Sequence, residues 1–124
     1  MPQTFTLEEA NLVIEQIRPL MKRIMEIRQV LMAKQPELLP VLQKIEGNGG
    51  SKTASHMLKE FRQLETLVAQ VQETGALVTD INTGLVDFPS ILEGREVLLC
   101  WQYDEPTIGY WHETDAGFSG RQPL

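Results

Sequence analysis

At Gly75 the apolar residues of this chain change their spacing, and that change dictates most of what the chain can become. Upstream they recur at alternating three and four, the period of a helix with one buried stripe. Downstream they recur at every second position between turn-forming residues, the period of a strand. A chain divided this way is α+β, with its helices segregated to one side of an antiparallel sheet.

The first half builds a scaffold. Thr6-Leu7-Glu8-Glu9 fits a capping box, and Phe5 stands in the staple position before it. From there Ala10, Val13, Ile17, Leu20, Ile24, Ile27 and Leu31 form a heptad-like seam. Pro19 lies inside the seam, so a bend is expected between Glu15 and Pro19. Leu38, Leu39, Val41, Leu42 and Ile45 extend the helix to about Glu46 despite Pro36 and Pro40. Gly47-Asn48-Gly49-Gly50 then breaks it. With no lysine-serine pair and no preceding strand, this run is a hairpin tip and not a phosphate loop. Ser51 caps a second helix on Ala54, Met57, Phe61, Leu64, Val68 and Val71, which Gly75 ends. Two matched seams about a short turn give a long antiparallel helical hairpin, coiled-coil-like in pattern. The first helix is the longer, and its overhang is placed to cover the C-terminal module. Ile14, Met21, Met25 and Met32 make a second apolar stripe on it. A bare hairpin cannot cover two stripes, so a two-fold homodimer is expected to bury one; packing on the sheet is the competing explanation.

Strands are expected at about 76–81, 85–90, 96–103 and 107–113, joined through Asn82-Thr83-Gly84, Glu93-Gly94 and Asp104-Glu105-Pro106. Short successive turns mean a four-stranded antiparallel meander, followed by an ordered tail that Phe118 is expected to anchor on the core. The whole chain, residues 1–124, then forms a single domain with its hairpin at 1–74 and its β module at 75–124. In the third strand Val97, Leu99 and Trp101 share one face while Leu98 and Cys100 share the other. Both faces are apolar, so both are covered, one by helix and one by a partner chain. Cys100 in such a strand reads as a small buried hydrophobe.

Charge separates along the same line. Residues 75–124 hold eight of the seventeen acids and two of the eleven basic residues, which accounts for the whole net charge of −6. An acidic module repels phosphate backbones, which argues against a nucleic-acid partner. No run approaches the roughly 20 apolar residues of a membrane span, and MPQTFTLEEA lacks the basic start of a signal peptide. A lone cysteine fits a reduced, cytoplasmic protein.

The polar candidates lie in the β module. Asp80-Ile81-Asn82-Thr83-Gly84 lacks the later acids of a calcium loop, with Ile91 at the twelfth place. A loop over 82–84 sets Thr79 opposite Asp87 and Asp80 opposite Val86, which puts the two acids on opposite faces. His112 and Glu113 likewise point to opposite sides, while His112 shares its side with Tyr110 and Ile108. Arg121 is the only late cation, with Asp115 its nearest acid in sequence. The candidate ligand-binding set is therefore Asp80, Asp87, Trp101, Tyr110, His112, Asp115 and Arg121, with His112 and Asp115 as candidate ligands of a divalent metal. His56, near the start of the second helix, is expected to be exposed.

The runs TGLVDFPS, GREVLLCWQ and GYWHETDAGFSGRQPL, with TLEEAN at the start and the GNGG tip, resemble the uncharacterised bacterial family catalogued as domain of unknown function 2203. The resemblance covers essentially the whole chain. It implies that Asp80, Gly84, Asp87, Trp101, Trp111, His112, Asp115, Gly117, Phe118, Gly120 and Arg121 are family features, without assigning them a role. The family pattern has a charged residue where Ser90 to Leu92 stand here, so that turn supports no inference.

Two functions compete. One is a self-associating structural or adaptor protein whose sheet and tail form a recognition surface for a protein or small molecule. The other is a metal- or small-anion-binding protein using His112, Asp115, Arg121, Asp80 and Asp87. No nucleophile stands beside a base, which leans against an enzyme.

Overall fold

A computed structural model describes residues 3–34 and 58–124. The glycine tip, the stretch through Pro36 and Pro40, the Ser51 cap and His56 lie outside the described residues. Among the described residues two helices precede an antiparallel sheet, so the chain is α+β: α1 spans Leu7–Lys34 and α2 spans Leu58–Glu73. The sheet follows as β1 (Leu77–Asp80), β2 (Leu85–Leu92), β3 (Arg95–Gln102), β4 (Tyr110–Glu113) and β5 (Gln122–Pro123), in that spatial order. The fifth strand comes from the tail, which first makes a short 3-10 turn at Phe118–Gly120.

The start of α1 follows its sequence signal. Thr6 N donates to Glu9 Oε1 at 2.8 Å and Glu9 N donates to Thr6 Oγ1 at 3.1 Å, the reciprocal pair of a capping box. Phe5 acts beyond a staple. Its amide donates to the Pro89 carbonyl at 2.7 Å, and its own carbonyl accepts Ser90 Oγ at 2.6 Å. Its ring meets Phe88 edge-on with centroids 5.4 Å apart. The segment before the helix is thereby tied to β2. The helix runs unbroken through Pro19, whose ring faces solvent.

The buried line on α1 differs from the heptad seam. Ala10, Ile14, Ile17, Met21, Ile24, Ile27 and Leu31 are buried, whereas Val13 and Leu20 are only half-buried. The cause is that α1 packs on two neighbours at once. Its residues share one core with Phe61, Leu64, Val68 and Val71 of α2 and with Val86, Phe88, Leu99 and Trp101 of the sheet. The inner line therefore falls between the two stripes. Ile14 and Met21 of the second stripe are covered within the chain, so their burial calls for no second subunit.

Polar ties fix the helix on the sheet along its length. Asn11 Oδ1 accepts the Ile108 amide at 3.0 Å, and Arg18 donates to the Pro106 carbonyl at 3.0 Å. Arg28 Nε donates to Asn82 Oδ1 at 3.0 Å.

The β1–β2 register corrects the one expected from a loop over 82–84. Leu77 faces Asp87, Val78 faces Val86 and Asp80 faces Leu85, with an irregularity between Val78 and Asp80. Two local demands explain it. Asp80 Oδ1 accepts the Asn82 amide at 2.8 Å, which draws the end of β1 into the turn. Gly84, at φ 73°, lets the backbone pass where a Cβ would lie 2.8 Å from Tyr103 Cβ. The β2–β3 pair runs to its tip at Leu92↔Arg95, because Glu93 (φ 51°) and Gly94 (φ 79°) make the two-residue turn that matches strand twist.

Substitution tests which line is inward. Ile14→Ala should cost about 2–5 kcal/mol, and Val13→Ala about 1 kcal/mol or less, in urea unfolding at neutral pH. Equal costs would place the helix on its heptad seam instead.

Candidate functional site

Alternation sorts the strands. Val86 and Phe88 pair with Trp101 and Leu99 on the helix-facing side. Asp87 must then point the other way, opposite Cys100. One strand over, His112 pairs with Leu98 and so shares that outer face. Asp87, Cys100 and His112 are 5%, 1% and 2% exposed, and their ligand atoms lie within 4.8 Å of one another. They form the floor of a cleft of about 470 Å³, walled in part by Thr79, Asp80, Thr114 and Phe118.

The imidazole is held in one orientation. Nδ1 lies 2.8 Å from the Glu113 carbonyl, which can only accept, so Nδ1 carries a proton and donates it. Nε2 lies 3.2 Å from Asp87 Oδ2, an arrangement that needs one shared proton between them. Asp87 Oδ1 is buried with no hydrogen-bond partner. Burial pushes the Asp87 carboxyl above the ordinary carboxylate range, against the opposing charge and hydrogen bond of His112. Burial, reinforced by the Asp87 charge, pushes the Cys100 thiol up to about 11. A thiol held protonated, beside an imidazole with both nitrogens engaged, is a poor nucleophile.

The other candidates separate. Asp80 joins Asp87 in lining the cleft, which corrects the expectation of opposite faces; the register irregularity carries it across. Trp101 belongs to the core under α1, where its Nε1 donates to the Glu105 carbonyl at 2.8 Å. Ile108 is buried in that core too, and not beside His112. Arg121 pairs with Glu105, at 2.7 and 2.9 Å, and not with Asp115. Its guanidinium stacks on Tyr110 at 4.1 Å and on Phe118 at 4.9 Å, and Phe118, 49% exposed, therefore meets Arg121 instead of entering the core as expected. Asp115 is exposed and outside the cluster. Cys100, read as a plain core residue, is a member of the site. The signal that could have found it was strand pairing: with Glu93-Gly94 as a two-residue turn, Asp87 falls opposite Cys100.

An α+β molecule with an acid–thiol–imidazole cluster beneath an open cleft is thus defined. The chain matches the family described as an uncharacterized conserved protein, DUF2203, over residues 3–124, and it belongs to that family. No curated protein and no solved structure matches it. Among the described residues no helix is long and apolar enough to cross a membrane.

The thiol gives a pH test. Cys100 ionises at about 11 when folded against an ordinary 9.0. Between those values the folded chain keeps a proton that the unfolded chain has lost, so stability falls as pH rises through that window. The slope is up to about 1.4 kcal/mol per pH unit. Urea unfolding in EDTA across that range should show the slope in the wild type and a shallower one in Cys100→Ala. Parallel slopes would contradict the buried-thiol assignment.

Proposed function

We propose that this protein binds a transition-metal ion of the zinc class through Asp87, Cys100 and His112. The observation that carries the reading is the unpartnered Asp87 Oδ1, buried beside a thiol and a fixed imidazole. A buried carboxylate oxygen with no nitrogen or oxygen donor, beside a thiol alone, is costly, and a cation held by both oxygens of Asp87 would supply what the protein does not. Donor chemistry narrows the ion. Nitrogen, sulfur and oxygen together suit zinc or its neighbours, whereas magnesium and calcium ask for six or more oxygens.

Spacing agrees with that choice. Two donors each about 2.0 Å from a tetrahedral ion stand about 3.3 Å apart, and Asp87 Oδ2 to His112 Nε2 is 3.2 Å. The Nδ1 bond to the Glu113 carbonyl is the outer contact that orients a ligating histidine and leaves Nε2 for the metal. In this reading the ion takes the place of the shared Asp87–His112 proton and of the thiol proton, so binding releases protons and strengthens with pH.

Thermal melting tests it. Zinc at about 100 times its dissociation constant adds about 2.7 kcal/mol, a rise on the order of 10 °C for a chain this size. Magnesium and calcium should leave the melt unchanged. Asp87→Asn should abolish the zinc shift yet melt in EDTA no lower than the wild type, because a neutral amide avoids the burial penalty and can donate to Nε2. No wild-type shift with zinc, cobalt or copper would remove the metal reading and leave the sheet and tail a recognition role alone.

A further inference from the structure

We infer that an ion at Asp87, Cys100 and His112 keeps a coordination position open to the cleft, for small molecules that pair an oxygen donor for the metal with an ammonium or hydroxyl group for Asp80. The inference rests on the metal-binding reading above and adds its ligand class. The three donors come from three neighbouring strands and rise from one sheet face, so they occupy one side of any ion they share. The remaining tetrahedral vertex points away from the sheet, into the cleft. A structural zinc site closes that vertex with a fourth protein ligand. The tail residues that wall the cleft are Thr114, Ala116, Gly117 and Phe118, which bring neither nitrogen nor sulfur side-chain donors. Among the described residues the cluster comprises three donors.

The walls then say what enters. Among the described residues Asp80 is the one charged side chain lining the cleft besides its floor, and the Asn82 amide donates to its carboxylate at 2.8 Å. Among the described residues no ion pair engages it. Arg121, behind Phe118, is already paired with Glu105, so the free charge on the described wall is the Asp80 carboxylate, which disfavours polyanions and favours a neutral or positively charged body. Leu85, Leu98 and Phe118 give that body an apolar surface.

Cobalt-loaded protein provides the test, since its visible spectrum reports coordination directly. Acetohydroxamate should shift the cobalt bands, and glycine hydroxamate, which adds an ammonium group, should bind at least tenfold more tightly. Asp80→Asn should leave the unliganded cobalt spectrum unchanged, because Asp80 is not a ligand, and should bring the two hydroxamates to equal affinity. A cobalt spectrum that neither hydroxamate alters means a closed site and overturns this inference while sparing the metal reading. No cobalt spectrum at all overturns both. Equal affinities already in the wild type overturn the role given to Asp80.

Discussion

Because side chains alternate across a strand, burying Val86, Phe88, Leu99 and Trp101 beneath α1 sends Asp87, Leu98 and Cys100 to the opposite face. A slip of one residue in β2 or β3 would turn that whole set to solvent, at about 1.5–3 kcal/mol for each large side chain. Register is therefore locked by the helix side of the sheet. The outer face inherits positions it has no part in choosing. The ties from Asn11, Arg18 and Arg28 to the sheet's loops stiffen the same arrangement. A polar cluster standing on such a floor needs little support of its own to stay in place.

That cluster runs against the stability of the fold. Apolar side chains of similar size in place of Asp87, Cys100 and His112 would leave no orphaned oxygen and no raised carboxyl. Local departures from good packing in an otherwise consistent chain mark places where something other than folding is served. The rest of the molecule obeys its local rules closely. The capping box forms, the α2 seam buries from Phe61 to Val71, and the two-residue turn at Glu93-Gly94 closes a long regular pair.

The sequence made the architecture readable and the site only partly so, for reasons that lie in particular residues. Period alone separates helix from strand at Gly75, and turn chemistry locates the connections from β1 to β4. Period could not say that α1 has two neighbours, so Val13 and Leu20 stood where Ile14 and Met21 are buried. The tail's two-residue strand carries no periodic signal; the Pro123 and Gln122 pairing with β4 depends on tertiary contact. Asp80 escapes a reading by alternation, because the irregularity between Val78 and Asp80 moves it to the face of Asp87. Cys100 is hidden in the sequence for a different reason. Its neighbours along the chain are apolar, and the acid and imidazole that change its meaning arrive from adjacent strands.

Charge placement adds the last element. Both arginines of the β module are engaged, Arg95 with Glu113 at 2.9 Å and Arg121 with Glu105 at 2.7 Å. Arg121 is further enclosed by Tyr110 and Phe118, so its role is to hold the tail against the sheet and not to present a cation to solvent. With those pairs satisfied, the remaining acids of the module set the field around it, and the sign of that field is negative. Asp80 adds a carboxylate to the cleft wall itself, above the buried Asp87. That sign is the one the proposed metal site would need. The distribution of charge along the chain, the direction each strand faces and the chemistry of three buried side chains converge on one cleft.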